Sequence, residues 1–339
     1  MSLKNIWKFV TLIVLLLTLF IFDLLIGSVE IPFSNIFNTI FLGNTDNEAW
    51  RLIITEFRLP KAITAVLVGI SLSVSGLQMQ SVFRNPLAGP DVLGISSGAS
   101  LGVSILVMGF ASIISMSDIF GNWAMVIAAC IGSFVVLSII LSLTARIKDI
   151  FTILILGIMF GFATSSIVSI LQYFSSASLL KVFIIWTLGS LSAVNNSQLT
   201  VFAICVLSGL ILAVLSIKHL NLLLLGDAYA KTSGMNVGRA RIIIFISTSI
   251  LAGTATAFCG PIGFIGIAVP HISRIFFKSG NVRIILPASV LIGSCVMLIS
   301  DVIAQLPGSD KVLPINSVTA IIGVPIIILI ILKKYNFSS

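Results

Sequence analysis

Long apolar runs, separated by short polar turns, occupy most of this chain. A helix needs about 20 apolar residues to cross roughly 30 Å of hydrocarbon, and most of the runs are close to that length. The pattern predicts ten membrane-spanning helices, at about residues 9–26, 62–83, 92–114, 122–144, 150–173, 199–217, 242–259, 262–277, 284–304 and 313–332. The apolar stretch at residues 179–194 is short and contains Gly189 and Ser190, so it predicts a partial or interfacial helix.

A hydrophilic break in the second half of the chain covers residues 218–241, which we call the polar segment. Gly226, Gly234 and Gly238 divide it, and glycines of this kind end short helices and form turns. The pattern therefore predicts short helices at a membrane surface. A plain connecting loop between two spans is the alternative, and the hydropathy pattern leaves both open.

Composition makes the membrane assignment firm. Apolar residues are 58% of the chain and charged residues only 9%, with a mean hydropathy of +1.20. Soluble domains are about one quarter charged, so the chain is an all-α integral membrane protein. The net charge of +8 does not indicate nucleic-acid binding, because the charges are few and scattered between apolar runs. Four cysteines lie in apolar runs without Cys-x-x-Cys spacing, which predicts small buried side chains rather than metal ligands.

The distribution of basic residues predicts the orientation. With ten spans and an inside N-terminus, most of the 19 lysines and arginines fall on the inside, and most acids fall outside. Counting residues 179–194 as a full crossing would reverse this bias for the polar segment and everything after it. We therefore expect both termini and the polar segment to lie in the cytoplasm.

An ion-coupled secondary transporter and a membrane enzyme are two rival classes of membrane protein. An ion-coupled secondary transporter needs coupling-ion sites near the middle of the membrane, whereas the candidate intramembrane acids, Asp23 and Asp301, lie toward the outer ends of their spans. A membrane enzyme needs a catalytic constellation, and the sequence has no His-Glu-x-x-His. A Gly-x-x-x-x-Gly-Lys-Ser/Thr motif is also absent, so the chain would depend on a partner to use ATP. The secondary transporter is kept as the alternative.

Several motifs occur in a fixed order along nearly the whole chain. They are Arg58-Leu59-Pro60-Lys61, the run 83–99 with Arg84-Asn85-Pro86-Leu87-Ala88-Gly89-Pro90-Asp91, the stretches 260–266 and 269–274, then Leu286-Pro287-Ala288-Ser289, Ser300-Asp301 and Leu313-Pro314-Ile315. In this order, the chain resembles the permease subunits of type II (FecCD-like) bacterial ABC importers for iron-siderophore complexes, haem and cobalamin.

The resemblance implies a single transmembrane permease domain, residues 1–339, with about ten helices in the bacterial cytoplasmic (inner) membrane. Its implied partners are a cytoplasmic ABC ATPase dimer, a second permease copy or a paralogue, and an extracytoplasmic substrate-binding protein. ATP would be used by the ATPase, and this chain would bind no cofactor or metal and carry no catalytic residue. The implied cargo is a metal chelate, foremost a ferric siderophore, with haem or cobalamin as alternatives.

The resemblance also assigns roles to particular positions. The polar segment corresponds to coupling helices that dock into the ATPase, through Leu225, Gly226, Asp227, Ala230 and Gly234. ATP hydrolysis would move the docked segment, and the helices would alternate access across the membrane. Ser233 stands where a leucine is common, which puts one packing contact in doubt.

Arg58 and Lys61 correspond to family arginines that pair with the binding protein. Gln305 replaces a further arginine, which predicts weaker or differently placed salt bridges. For the translocation path we expect polar or small groups, and the candidates are Gln78, Asn85, Thr152, Thr164 and Ser165.

Overall fold

A computed structural model describes residues 3–27, 29–42, 47–110, 123–147, 149–306 and 312–335. Within these residues the chain consists of helices and turns and contains no β-strand. The α-helices, in chain order, are α1 (Leu3–Leu25), α2 (Phe33–Phe37), α3 (Glu48–Leu52), α4 (Leu59–Phe83), α5 (Ile95–Ser104), α6 (Ala124–Arg146), α7 (Ile150–Phe174), α8 (Ala177–Thr187), α9 (Asn196–Leu215), α10 (Ile217–Leu224), α11 (Asp227–Thr232), α12 (Val237–Cys259), α13 (Ile265–Phe277), α14 (Val282–Ala304) and α15 (Ile315–Tyr335). Short π-helical turns (Asn38–Leu42, Ile53–Arg58 and Ile105–Gly109) and a 3₁₀ turn (Pro90–Leu93) connect or extend them.

Seven stretches of helix in the described residues are long and apolar enough to cross a membrane. They are Lys4–Leu25, Glu48–Phe83, Ala124–Thr144, Ile150–Phe174, Asn196–Leu215, Val237–Cys259 and Val282–Ala304. Three shorter apolar helices, Ile95–Gly109, Ile265–Phe277 and Ile315–Leu329, occupy the other predicted spans. The expectation of about ten is thus confirmed, and Ala177–Thr187 is the predicted partial helix.

One predicted span begins later in the structure than the hydropathy pattern indicates. The eighth span was predicted from residue 262, but α13 begins at Ile265 because Phe264 has a left-handed backbone (φ 68°) that cannot continue a right-handed helix. The predicted end of the third span at residue 114, and the predicted start of the fourth at residue 122, lie outside the described residues.

α4, α12 and α14 form the centre of the bundle. α4 packs against α12, α13 and α14 along most of its length, and its second half is buried on all sides. Glycines permit this close approach: a Cβ at Gly69 would overlap the backbone of Gly293 on α14, and one at Gly76 would overlap the carbonyl of Gly266 on α13. Packing of small faces is what holds helices together in lipid, where apolar burial gives no driving force.

The outer helices α1, α6, α7 and α9 expose large apolar side chains. On α7, Phe162 is 70% exposed and Met159 is 60% exposed. Such a surface suits contact with lipid or with another membrane-embedded chain rather than with water. The bundle therefore has a packed interior of three helices and an apolar perimeter.

Candidate functional sites

The polar segment folds into the two short helices α10 and α11, and its last five residues, 237–241, begin α12. The two short helices meet at Gly226, whose φ of +108° is a conformation that L side chains rarely adopt. Gly234, with φ of +79°, turns the chain out of the segment toward α12. Leu225 is 65% exposed, while Ala230 is fully buried. The segment thus has one face against the bundle and an apolar side chain directed away from it.

Polar contacts fasten the polar segment to two central helices. Asp227 Oδ2 lies 2.6 Å from Arg241 Nη2, and Arg241 is a buried residue of α12. On the α10 side, Asn221 Oδ1 accepts a hydrogen bond of 3.0 Å from the backbone N–H of Val282, the first residue of α14. Asn221 also donates to the Asn281 side chain, at 3.3 Å. A displacement of the polar segment would therefore pull directly on α12 and α14.

The turn after α4 approaches the same place. Arg84 ends α4 in a left-handed conformation (φ 48°), and its guanidinium lies next to Gly226. Asn85, predicted for the translocation path, holds this turn: its Oδ1 accepts from the backbone N–H of Leu87 at 3.0 Å. The predicted path role of Asn85 is untested. The hydrogen bond from Leu87 shows that the Asn85 side chain stabilises the turn.

At the opposite end of α4 and α14 lies a cleft of about 310 Å³, which we call the Arg58 cleft. It brings together all three residues predicted to meet the binding protein, and its lining includes Arg58, Lys61 and Gln305 with Glu56 and Val29. The motif at the start of α4 and the residue just after α14 therefore belong to one site.

The basic side chains of this cleft bind inward. Arg58 is only 6% exposed, and its guanidinium donates to the carbonyls of Leu24 (2.8 Å), Leu25 (3.1 Å) and Val29. Leu24 and Leu25 are the last residues of α1, where helical C=O groups lack partners within the helix, and Val29 follows the helix. Lys61 Nζ lies 3.0 Å from Asp301 Oδ2. Docking by Arg58 and Lys61 stays a prediction, since in this structure both are held by the chain itself.

Gln305 joins the two acids that the sequence placed at membrane depth. Its Nε2 donates to Asp23 Oδ1 at 3.2 Å and to Asp301 Oδ2 at 3.1 Å. Asp23 and Asp301 are 1% and 5% exposed, and buried carboxylates need partners of this kind. The expectation of weaker or differently placed salt bridges to the binding protein stays a prediction. The link from Gln305 to Asp23 on α1 was not predicted from the sequence.

Two of the predicted path residues point into the protein. Gln78 is fully buried on α4; its Nε2 donates to Ser247 Oγ, and its Oε1 accepts from Thr248 Oγ1, both at 2.8 Å. The hydroxyl of Ser247 continues to the carbonyl of Gly209 on α9, so the network ties three helices together. Thr164 is 6% exposed and bonds the carbonyls of its own helix turn. Both contacts are those of helix packing, and neither tests a path role.

Thr152 belongs to the start of α7. Asp149 caps this helix and accepts from the Thr152 hydroxyl at 2.6 Å and from the Thr152 N–H at 2.8 Å. The hydrogen bonds from the Thr152 side chain, and then from its backbone, lower the pKa of the exposed Asp149 carboxyl from its ordinary value. The sequence reasoning missed Asp149, although an Asp before an apolar run is a recognised helix-start signal.

Ser165 lies in a polar groove on the surface of the bundle. The groove is about 430 Å³, and we call it the serine groove after five of its lining residues, Ser96, Ser97, Ser100, Ser165 and Ser169. Its other lining residues are Asp91, Val168, Gln172, Phe183 and Pro261. The groove runs between α5 and α7. The predicted path role of Ser165 is untested.

A model of the FecCD transport family matches residues 15–333 of the chain. The chain belongs to the FecCD transport family. It is therefore a transport permease with several membrane-crossing helices, as its composition and its fold both indicate.

FecCD-family relatives align over nearly their full length. The chain is 35% identical over 325 residues to the hemin transport system permease protein HmuU of Yersinia pestis, covering 95% of this chain and 94% of that protein. It is 33% identical over 328 residues to the vitamin B12 import system permease protein BtuC of Klebsiella pneumoniae, covering 97% and 94%. A solved structure described as an inward-facing conformation of a metal-chelate type ABC transporter superposes with a TM-score of 0.82 at 27% identity, covering 97% of this chain and 99% of that one.

The contacts that the sequence reasoning missed in this FecCD-family chain are those between distant residues. The sequence pattern does not single out Arg241, Asn221 or Asn281 for these contacts. All three stand beside apolar runs, where a polar side chain either reaches water or finds a partner. That signal marks them as candidates, but only the fold shows which partner each has.

Proposed function

We propose that this FecCD-family chain is the membrane subunit of an ATP-driven importer that moves a metal chelate into the cytoplasm by alternating access. A ferric siderophore is the foremost cargo, with haem or cobalamin as alternatives. The proposal takes its cargo class from the relatives that transport hemin and vitamin B12 and from the metal-chelate type neighbour.

The observation that carries the proposal is the construction of the polar segment. It presents Leu225 on its outer side and is tied to α12 through Asp227–Arg241 and to α14 through Asn221–Val282. A partner that grips the segment would move two of the three central helices. In this proposal the partner is an ABC ATPase dimer, which supplies the ATP chemistry that this chain lacks.

The remaining parts of the assembly follow from the same arrangement. The polar segment and both termini lie in the cytoplasm, in line with the basic residues around them. The Arg58 cleft, at the other end of α4, then faces outward toward a substrate-binding protein. A second permease copy or a paralogue covers the apolar surface of α7 and closes the serine groove into a path.

The test is uptake into sealed vesicles that carry this chain, its ATPase and its binding protein, with ferric siderophore, haem and cobalamin offered separately. The diagnostic variant is Gly226→Asp, because a side chain is strained at φ +108° and would meet the Arg84 guanidinium. The matched control is Gly280→Asp, at a glycine with open space around it and no left-handed φ.

We expect ATP-dependent uptake of one cargo, lost in Gly226→Asp and retained in Gly280→Asp. Uptake that follows a proton or sodium gradient and ignores ATP would overturn the proposal in favour of an ion-coupled secondary transporter.

A further inference from the structure

The serine groove contains a single ionisable residue among those that line it. Asp91, from the 3₁₀ turn Pro90–Leu93, shares the groove with five serines and Gln172. The lining includes no lysine or arginine. Lys181 is exposed on α8, the helix that contributes Phe183, but it does not line the groove. Asp91 is therefore the residue of the described lining that can carry a charge, and in its ionised form it makes the groove wall negative.

Asp91 lies in a turn, but this turn is partway along the length of the helical bundle. Its neighbour Val92 packs against Gly157, where a Cβ would overlap the Val92 carbonyl. Gly157 is seven residues beyond the first residue of α7, so it lies roughly 10 Å along the helix from that end. On the other side, Pro90 packs against Gly266 in the first turn of α13. Asp91 thus lies well inside the bundle's length rather than at its end.

The carboxylate of Asp91 is available to a molecule in the groove. The residue is exposed, and one of its oxygens accepts a hydrogen bond from the Ser96 hydroxyl. A carboxylate has about four lone-pair positions, so this bond leaves most of its capacity unused. Hydroxyl groups can solvate a negative charge but cannot neutralise it. In a cleft with low-dielectric walls, one uncompensated charge attracts cations and repels anions more strongly than it would in bulk water.

We propose that Asp91 selects metal chelates by charge as they pass along the serine groove. The site favours a chelate that carries a cationic group, such as a protonated amine, and disfavours polyanionic chelates. This inference rests on the proposed function and narrows its substrate class. It assigns to Asp91 a contact with cargo, distinct from the coupling contacts of the polar segment.

The test uses two ferric chelates that differ in one charge. The first is a ferric trihydroxamate with a free terminal amine, and the second is the same chelate with that amine acetylated. Binding of each ⁵⁵Fe-labelled chelate is measured on the purified permease–ATPase complex without the binding protein, so that the preference belongs to the membrane subunits.

We expect the wild-type complex to bind the amine form at least about fivefold more tightly, the factor that one pair of unit charges about 4 Å apart gives even in a water-like dielectric. Asp91→Asn should remove the preference, because the amide keeps the hydrogen bond to Ser96 but not the charge. Glu48→Gln removes an exposed acid from α3, outside the groove, and should keep the preference.

A second variant guards against a folding defect in Asp91→Asn. Ser169→Lys adds a cation to the groove wall while Asp91 stays in place, and it should weaken binding of the amine form relative to the acetylated one. Equal binding of both chelates by the wild type, an unchanged preference in Asp91→Asn, or binding of neither chelate would overturn the charge selection. ATP-dependent uptake of both chelates without preference would also overturn charge selection by Asp91, but it would leave the proposed function intact.

Discussion

The two ends of the central helices use polar residues in opposite ways. At the Arg58 cleft, the basic side chains turn inward, to the carbonyls that end α1 and to Asp301. At the polar segment, Arg241 is buried in its pair with Asp227, while an apolar residue, Leu225, is exposed. The charges of the Arg58 cleft are therefore paired within the chain. The polar segment is bound to the bundle on its inner side and exposes an apolar residue on its outer side. A charged motif is not by itself a contact surface, and an exposed leucine beside a largely buried ion pair is a stronger sign of one.

The largest effect is expected from breaking the anchor of the polar segment. Asp227→Ala leaves the buried Arg241 guanidinium without that carboxylate, and losing one partner of a buried pair is costly. We expect ATP-driven uptake to fall by about tenfold or more, because α11 would no longer move with α12. The control is Lys231→Ala, an exposed residue on the same short helix, which should retain uptake. Equal uptake by Asp227→Ala and the wild type would show that this ion pair does not transmit the motion.

A smaller effect is expected at the Arg58 cleft. Lys61→Met removes the cation beside Asp301 and leaves the Gln305 amide as the donor that Asp301 shares with Asp23, so we expect a loss of about 2–3 kcal/mol of stability. Thermal unfolding in detergent should show a melting temperature lower by roughly 5 °C. Lys181→Met, at an exposed lysine, is the control.

The double variant Lys61→Met/Asp301→Leu should recover part of that loss, since it removes the carboxylate together with its cation. A double variant that loses as much as the two single variants added together would mean that Lys61 and Asp301 do not interact energetically.

The smallest effect concerns the cap of α7. The pKa of Asp149 is lowered by its hydrogen bonds from Thr152, so the cap stabilises the folded helix at neutral pH and loses that contribution as the pH falls through the folded-state pKa. Hydrogen exchange of the first turn of α7, corrected for the intrinsic rate at each pH, should show weaker protection in acid. In Asp149→Asn this pH dependence should disappear, because an amide caps without titrating. Acid-dependent protection that persists in the variant would place the titrating group elsewhere.

The sequence was sufficient to predict those features of the fold that depend on the residues of a single helix. Hydropathy predicted the spans, and Gly226 and Gly234 predicted the short helices of the polar segment, because a left-handed glycine ends a helix regardless of its neighbours.

The sequence was insufficient where the rotation of a helix about its axis decides the outcome. A helix that is apolar on all sides has no hydrophobic stripe to indicate which face is buried. Gln78 and Ser165 were therefore predicted alike, yet Gln78 is in the core and Ser165 lines a groove. Because the rotation of each helix was unknown, the inward direction of the Arg58 side chain could not be predicted. The hydrogen bond from Gln305 to Asp23 could not be predicted either, since it joins residues 282 positions apart.

The central claim, that a cytoplasmic ATPase grips the polar segment, is tested most directly by thiol labelling of Leu225→Cys. The four native cysteines lie within helices α6, α9, α12 and α14, so a membrane-impermeant maleimide should report the new thiol. We predict labelling in inside-out vesicles, strong protection when the ATPase is bound, and no protection at the control Gly280→Cys. Labelling from the outer side only, or equal reactivity with and without the ATPase, would contradict the account.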